Sequence, residues 1–269
     1  MNKQLALIGF GEAGETFATA AQWGKTAVAF DIDRAREHAI EAAGLSVAGD
    51  RAAALGGTPL AFSLVTADSA LAAAQQCAAE MGAQALWCDM NSVAPDTKRR
   101  AAKAIEAAGG RYVDVAILAP VRPGALQVPL LVSGAAAEDA CARLSDLGFA
   151  NVRAVGDAVG QASAIKMIRS VMVKGIEALT DEMMAAAEAA GVAEEVLASL
   201  DASERGDGWA TRAAYNRKRM RVHGARRSAE MEEAAATLSA LGVDPVMTRG
   251  TVARQRAAAG GKREERDAA

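Results

Sequence analysis

Lys166 stands in the run Gly160-Gln161-Ala162-Ser163-Ala164-Ile165-Lys166-Met167-Ile168-Arg169-Ser170. Read as a helix, this run puts Ser163, Lys166, Arg169 and Ser170 on one face through three- and four-residue spacing, with Ile165, Ile168 and Met172 toward the other sides. A lysine beside an arginine and partly withdrawn from water has its ammonium form disfavoured. Its pKa then moves toward the range where an amine can both give and take a proton. A solvated lysine on an exposed helix face is the plain alternative. The polar company on Lys166's face favours proton transfer.

A second chemical signal lies at the start of the chain, in Gly9-Phe10-Gly11-Glu12-Ala13-Gly14, directly after the apolar run Leu5 to Ile8. Glycines at this spacing allow a tight turn, a close backbone approach to a pyrophosphate, and tight packing of the next helix on the strand. The amino end of that helix then faces the phosphates. Glu12 to Gln22 reads as the helix and Thr26 to Phe30 as the next strand, ending at Asp31, so a full βαβ unit surrounds the glycines. Gly9, Phe10, Gly11, Glu12, Ala13 and Gly14 are therefore the expected dinucleotide loop. The Asp31 carboxylate suits the ribose hydroxyls and repels a ribose phosphate, which favours NAD over NADP. Arg34 pulls the other way, because its guanidinium could bind that phosphate.

These groups need a frame, and the sequence implies one in two parts. Up to about Val155, short apolar runs alternate with alanine-rich helical stretches, as in a doubly wound α/β sheet. Strands are expected at Leu5 to Gly9, Ala27 to Asp31, Leu60 to Val65, Leu86 to Asp89, Arg111 to Val115, Leu130 to Ser133 and Val152 to Val155. Helices are expected at Ser69 to Met81 and at Pro95 to Ala108, where Pro95 suits a first helical turn. After Gly160 the pattern is helical throughout. Gln161 to Ala190 runs without proline and would be about 45 Å long. Further helices are expected at Ala193 to Ser203, Ala210 to Ala240 and Pro245 to Ala257. The expected division is a Rossmann-type domain over 1–158, an all-α domain for substrate and dimerisation over 159–259, and a flexible tail over 260–269.

The chain has 269 residues, 51% hydrophobic and 23% charged, with a formal net charge of -3. That is a globular composition without the global basic field a nucleic-acid partner would call for. Cys77, Cys88 and Cys141 lack metal-ligand spacing, and His38 and His223 are the only histidines, so neither a metal site nor a disulfide framework is expected. The chain enters a strand at once and has no membrane-length apolar run, so a cytoplasmic protein, without membrane contact, is expected. The alanine-rich helical half suits a homodimer. Arg212 to Arg227 carries seven basic residues and no acid. Either it forms an anion pocket, with His223 on the same face as Arg219, Arg226 and Arg227, or it is a basic face paired with Glu230, Glu232, Glu233 and the acids of the long helix.

The glycine loop, the strand end Asp89-Met90-Asn91-Ser92-Val93-Ala94-Pro95, and a glycine six residues before a lysine together resemble the β-hydroxyacid dehydrogenase family. That family includes 3-hydroxyisobutyrate dehydrogenase and is related to 6-phosphogluconate dehydrogenase in its cofactor domain. The later text through Lys174-Gly175-Ile176-Glu177-Ala178-Leu179 is similar to a branch whose carboxy-terminal domain has no known function. The resemblance implies hydride transfer between nicotinamide and a β-hydroxy acid, with Lys166 as the proton donor and acceptor. It implies that Val65, Thr66 and Asn91 line the nicotinamide side, and that Ser92 meets a small carboxylate-bearing substrate. The chain departs from the family in Asp114-Val115-Ala116-Ile117-Leu118-Ala119-Pro120, where proline offers no amide and leucine no hydroxyl to a carboxylate. Arg169, aided by Ser163 or Ser170, is then the expected carboxylate clamp, with Arg122 as a second candidate and His223 as a further substrate contact. An imine reductase of the same architecture and a non-catalytic NAD-binding assembly module are the competing expectations.

Overall fold

A computed structural model of the chain describes residues 3–189, 191–203, 208–240 and 244–267. Its elements, in chain order, are β1 (Leu5–Ile8), α1 (Glu12–Ala21), β2 (Ala27–Phe30), α2 (Glu37–Ala42), β3 (Ser46–Val47), α3 (Arg51–Leu55), β4 (Leu60–Ser63), α4 (Ala70–Cys77), β5 (Leu86–Asp89), α5 (Pro95–Ala107), β6 (Arg111–Ile117), the single turn α6 (Val121–Gly124), β7 (Leu130–Ser133), α7 (Ala137–Asp146) and β8 (Val152–Ala154). Four long helices follow: α8 (Gln161–Ala189), α9 (Ala193–Ser203), α10 (Trp209–Ala240) and α11 (Val246–Asp267). Contacts divide the chain into two compact units, Met1–Lys166 and Met167–Ala269.

The first unit is a Rossmann-type sheet in the order β3-β2-β1-β4-β5-β6-β7-β8. Strands β1 to β6 pair in parallel, β7 is antiparallel to β6, and β8 is parallel to β7. The strands are apolar runs because helices cover both faces. Alternate residues serve the two cores: Leu5 and Leu7 join Phe62, Cys88, Val113 and Val132 on one side. Ala6 and Ile8 join Ala61, Trp87, Tyr112 and Ile105 on the other. Each expected strand is present. The edge strand β3, two residues long, carries too little alternation to be read from the sequence.

Every described element of the second unit is a helix. α8 passes Gly175 without a break, and α10 is likewise continuous. The expected end of the long helix, Ala190, lies outside the described residues. The unit boundary falls inside α8 rather than at 158. The first amides of α8 explain this, because Ala162 N–H donates to Ser133 Oγ at 3.0 Å and Ser163 N–H to Asp114 Oδ2 at 2.8 Å. Those bonds tie the opening turns of the helix to the sheet. At the far end, α11 continues as helix to Asp267, through most of the segment expected to be a tail; residues 268 and 269 lie outside the described residues.

Candidate active site

The glycine loop has the geometry its residue types imply. Gly9 has φ +94°, and a Cβ there would sit 2.6 Å from the Leu64 carbonyl oxygen. Its amide donates to the Phe30 carbonyl at 2.9 Å. A Cβ at Gly14 would be 3.1 Å from the Gly9 carbonyl oxygen, so α1 packs closely on the strand. At Gly11 a Cβ would meet nothing within 4 Å. Gly11 is also the N-cap of α1, without a side-chain capping bond. The open backbone and the amide-rich end of α1 thus lie together, which is what an anionic group requires. Glu12 and Glu15 occupy the first turn, and Phe10 is fully buried in the core.

Asp31 joins this loop to β2. Its Oδ2 accepts from Phe10 N–H at 2.6 Å and its Oδ1 from Asp33 N–H at 2.9 Å. A carboxylate has about four lone-pair positions, so both oxygens retain capacity for a ribose diol. Arg34 is held by Glu37 Oε1 and by the Gly49 carbonyl, each at 2.7 Å.

After β4, Val65 is half-buried and Thr66 exposed. The Thr66 hydroxyl donates to Asp68; this bond, more than any other influence, holds the Asp68 carboxyl below its usual range. After β5, Asn91 is 5% exposed. Its Nδ2 donates to Ser63 Oγ and to Asp89 Oδ1, both at 2.8 Å, and its backbone N–H to Asp89 Oδ1 at 3.0 Å. Those bonds fix the amide orientation and leave Asn91 Oδ1 buried without a partner among the described residues. A buried acceptor of this kind is completed by an ordered water or by a ligand's donor.

Ser92, the next residue, is half-buried. The Lys166 ammonium donates to Ser92 Oγ, so the amine and the strand end expected to share one site are in direct contact. Ser163, one turn earlier on α8, is buried, with its hydroxyl donating to the Gly160 carbonyl at 3.2 Å. These bonds hold the helix start. Arg122 lies on α1, with Nε donating to Thr16 Oγ1 at 3.0 Å and an ion pair to Glu15 at 3.8 Å. Leu118 N–H is spent on the Pro129 carbonyl at 2.9 Å, and Pro120 has no N–H to offer a carboxylate.

Farther along α8, in the second unit, Arg169 is exposed and Ser170 buried; His223 is half-buried on α10. The basic stretch is largely paired. Arg217 meets Glu188, Arg219 meets Glu177 at 3.7 Å, Arg226 meets Glu230, and Arg227 meets Glu177 at 2.5 Å. Lys174 also meets Glu230, while burial draws its pKa down. The pairing partners lie on α8 and on α10 itself, as the basic-face reading expected.

A cluster absent from the expected site residues underlies the whole site. Lys98 on α5 is fully buried. Its Nζ donates to the Asp89 carbonyl at 2.6 Å and to Asp89 Oδ1 at 2.9 Å, and lies 3.2 Å from Asp114 Oδ1. Asp89 Oδ2 accepts from the Tyr112 hydroxyl at 2.7 Å. Burial, reinforced by the Asp89 charge, keeps that phenol protonated well above its usual range. Two aspartates inside apolar strands, and a lysine on the buried face of an amphipathic helix, were the available signal: buried charges need partners.

The comparisons agree with this architecture. The model of the NAD binding domain of 6-phosphogluconate dehydrogenase matches residues 4–148. The chain belongs to that family. In the helical unit, residues 187–258 match a domain of unknown function, DUF1932. A conserved hypothetical protein from Sinorhizobium meliloti 1021 is 38% identical, with 95% of this chain and 88% of that one covered, at a TM-score of 0.76. The 3-hydroxyisobutyrate dehydrogenase of Mycobacterium tuberculosis shares the fold at a TM-score of 0.78 and 15% identity, covering 96% of this chain and 94% of that one. A reductive aminase from Aspergillus terreus does so at 0.64 and 20% identity, covering 92% and 90%. An uncharacterised 28.5 kDa protein of Methanothermus fervidus is 28% identical over 119 residues, and that match spans 44% of this chain and 45% of the relative. Among the described residues no helix is long and apolar enough to cross a membrane, and no group of three or more potential metal ligands is found.

Proposed function

We propose that this member of the 6-phosphogluconate dehydrogenase NAD binding family is an NAD-dependent oxidoreductase acting on a small β-hydroxy acid or the matching aldehyde or keto acid. The observation that carries the reading is the contact between the Lys166 amine and Ser92, next to the orphaned acceptor of Asn91. The open backbone at Gly11 suits a pyrophosphate, Asp31 a ribose diol, and Asn91 Oδ1 the carboxamide of a nicotinamide. When bound, the nicotinamide supplies the carbon that accepts or donates hydride. Lys166, as the neutral amine, takes the proton of the substrate hydroxyl during oxidation; as the ammonium, it returns a proton to the carbonyl oxygen during reduction. Ser92 holds the amine in place and offers a hydroxyl to the same substrate oxygen. NAD is preferred because Arg34 is engaged by Glu37 and Gly49, which leaves the Asp31 carboxylate facing the ribose without a compensating guanidinium.

The test is nicotinamide absorbance with NAD and NADP in parallel against β-hydroxy acids and semialdehydes. Lys166→Ala should lose about 10²- to 10⁴-fold in turnover. Undiminished turnover in that variant would remove Lys166 from the chemistry. Cyclic imines belong in the same panel, given the fold shared with a reductive aminase. Reduction of imines with silence on hydroxy acids would reassign the substrate class. Ile165, Ile168, Met172 and Ile176 recur along α8 and are 39% to 66% exposed, a pattern suited to the expected homodimer. Light scattering at micromolar concentration checks it.

A further inference from the structure

The route from Ser92 to Lys166 through the protein interior is short and continuous. Asn91 is pinned to Asp89 by its backbone and its side chain. Asp89 is held by Lys98, whose ammonium lies 3.2 Å from Asp114. The other Asp114 oxygen accepts the Ser163 N–H of α8 at 2.8 Å, one helical turn before Lys166. Ser133 adds a parallel strut, accepting the Ala162 N–H at 3.0 Å with its own hydroxyl 3.4 Å from Asp114 Oδ2. The start of α5 also touches the start of α8. Gly160 has φ +102°, and a Cβ there would lie 3.1 Å from Pro95 Cβ and 2.7 Å from an Arg99 nitrogen.

We propose that Lys98 is a positioning residue: by clamping Asp89 and Asp114 it sets the Lys166 amine against Ser92. This rests on the proton-transfer role given to Lys166. Two carboxylates flank one ammonium in a dry interior, and the Ser163 amide in the first turn of α8, which has no acceptor within the helix, donates to one of them. The partial positive charge of such amides makes the amino end of that helix the complement of the cluster. Apolar side chains would pack this volume at no loss of stability, since burying an ion pair is a poor source of it. Charges of fixed geometry, in contrast, permit one register between β5, β6 and α8. Displacing a catalytic group by about 1 Å costs on the order of 10²-fold in rate, so the strand end and the helix turn must be held rigidly.

The experiment measures the Lys166 amine directly. Trace acetylation of ligand-free protein across pH, with each lysine quantified by mass spectrometry, gives the reactivity of Lys166 relative to exposed Lys103. Ser133→Ala is the main variant, because it removes one strut without changing charge; Ser133→Thr restores the hydroxyl. Asp114→Asn keeps an acceptor for Ser163 N–H while discharging the clamp, and Lys98→Met removes it. We expect the Lys166 to Lys103 ratio to shift at least threefold in Ser133→Ala and Asp114→Asn, to return in Ser133→Thr, and kcat to fall about tenfold with NADH affinity within twofold of the parent. The ratio is compared only at temperatures where each variant is fully folded, so that a general loss of stability does not enter it. If Lys98→Met does not fold, the other two variants decide. An unchanged ratio in folded Ser133→Ala and Asp114→Asn overturns the proposal, even if Lys166→Ala is inactive. A shifted ratio with an active Lys166→Ala upholds the clamp and removes the catalytic role of Lys166.

Discussion

The glycine loop makes a prediction that separates folding from binding with two substitutions of one methyl each. At Gly9, φ is +94° and a Cβ would lie 2.6 Å from the Leu64 carbonyl oxygen and 2.8 Å from its carbon. Gly9→Ala therefore incurs backbone strain of about 1–3 kcal/mol and overpacking of another 1–3 kcal/mol. In a unit ending at Lys166, each kcal/mol is worth roughly 2–4 °C, so Tm should fall by about 4–24 °C. At Gly11 the backbone is φ −79°, ψ −159°, open to alanine, and a Cβ meets nothing within 4 Å. Gly11→Ala should change the stability of ligand-free protein by less than about 1 kcal/mol. Its methyl group would crowd a pyrophosphate, at about 1–3 kcal/mol, or roughly 5- to 150-fold in Kd for NADH. Calorimetry on the ligand-free variants and titration of NADH fluorescence give the two quantities separately. A Gly11→Ala protein that binds NADH like its parent would refute the placement of phosphate at this backbone. A Gly9→Ala protein of unchanged Tm would refute the crowding against Leu64.

The remaining predictions concern groups away from the loop. Burial pushes the Cys77 thiol up to about 12 and raises Cys88 and Cys141 as well, so a thiol reagent at pH 8 should label partly exposed Cys141 alone until the protein is unfolded; labelling of native Cys88 would contradict its full burial. The same shift has a sign: the folded state keeps the Cys77 proton that the unfolded chain loses near pH 9, so its stabilising share is complete below pH 9 and drains away toward pH 12. Denaturant melts of Cys77→Ala should show a shallower alkaline decline than the parent. Gln255 is fully buried, and among the described residues neither amide atom has a partner, so Gln255→Met should stabilise by about 1–3 kcal/mol; a lower denaturation midpoint would reveal an internal water bonded to that amide. Arg34→Ala should leave NADPH affinity within twofold, because the guanidinium is already held by Glu37 and Gly49; a large loss would show that it turns to a ribose phosphate.

What could be read from the chain and what could not divide along the range of the interactions. The Gly9, Gly11 and Gly14 spacing and the acid at Asp31 are local signals, since the strand, turn and helix they punctuate lie within a few residues, although the crowding of Gly9 against Leu64 is not local. The polar face around Lys166 is also a property of one helix, and its residues were found by counting along it. The clamp beneath the site is not local. Lys98 and its carboxylates belong to α5, β5 and β6, and only the sheet's register, with Asp89 opposite Asp114, brings them to one ammonium. Ser163 and Arg122 were assigned to the substrate on residue type. The fold engages the first with the Gly160 carbonyl and Asp114 and the second with Glu15 and Thr16. The basic stretch shows the same limit, because the glutamates that neutralise Arg217, Arg219 and Arg227 stand on α8. For the arginines, a charge whose partner lies on another element reads as a ligand site until the partner is seen. An aspartate between two valines, as at Asp114, is the more reliable sign, because its burial demands a partner before any ligand is invoked.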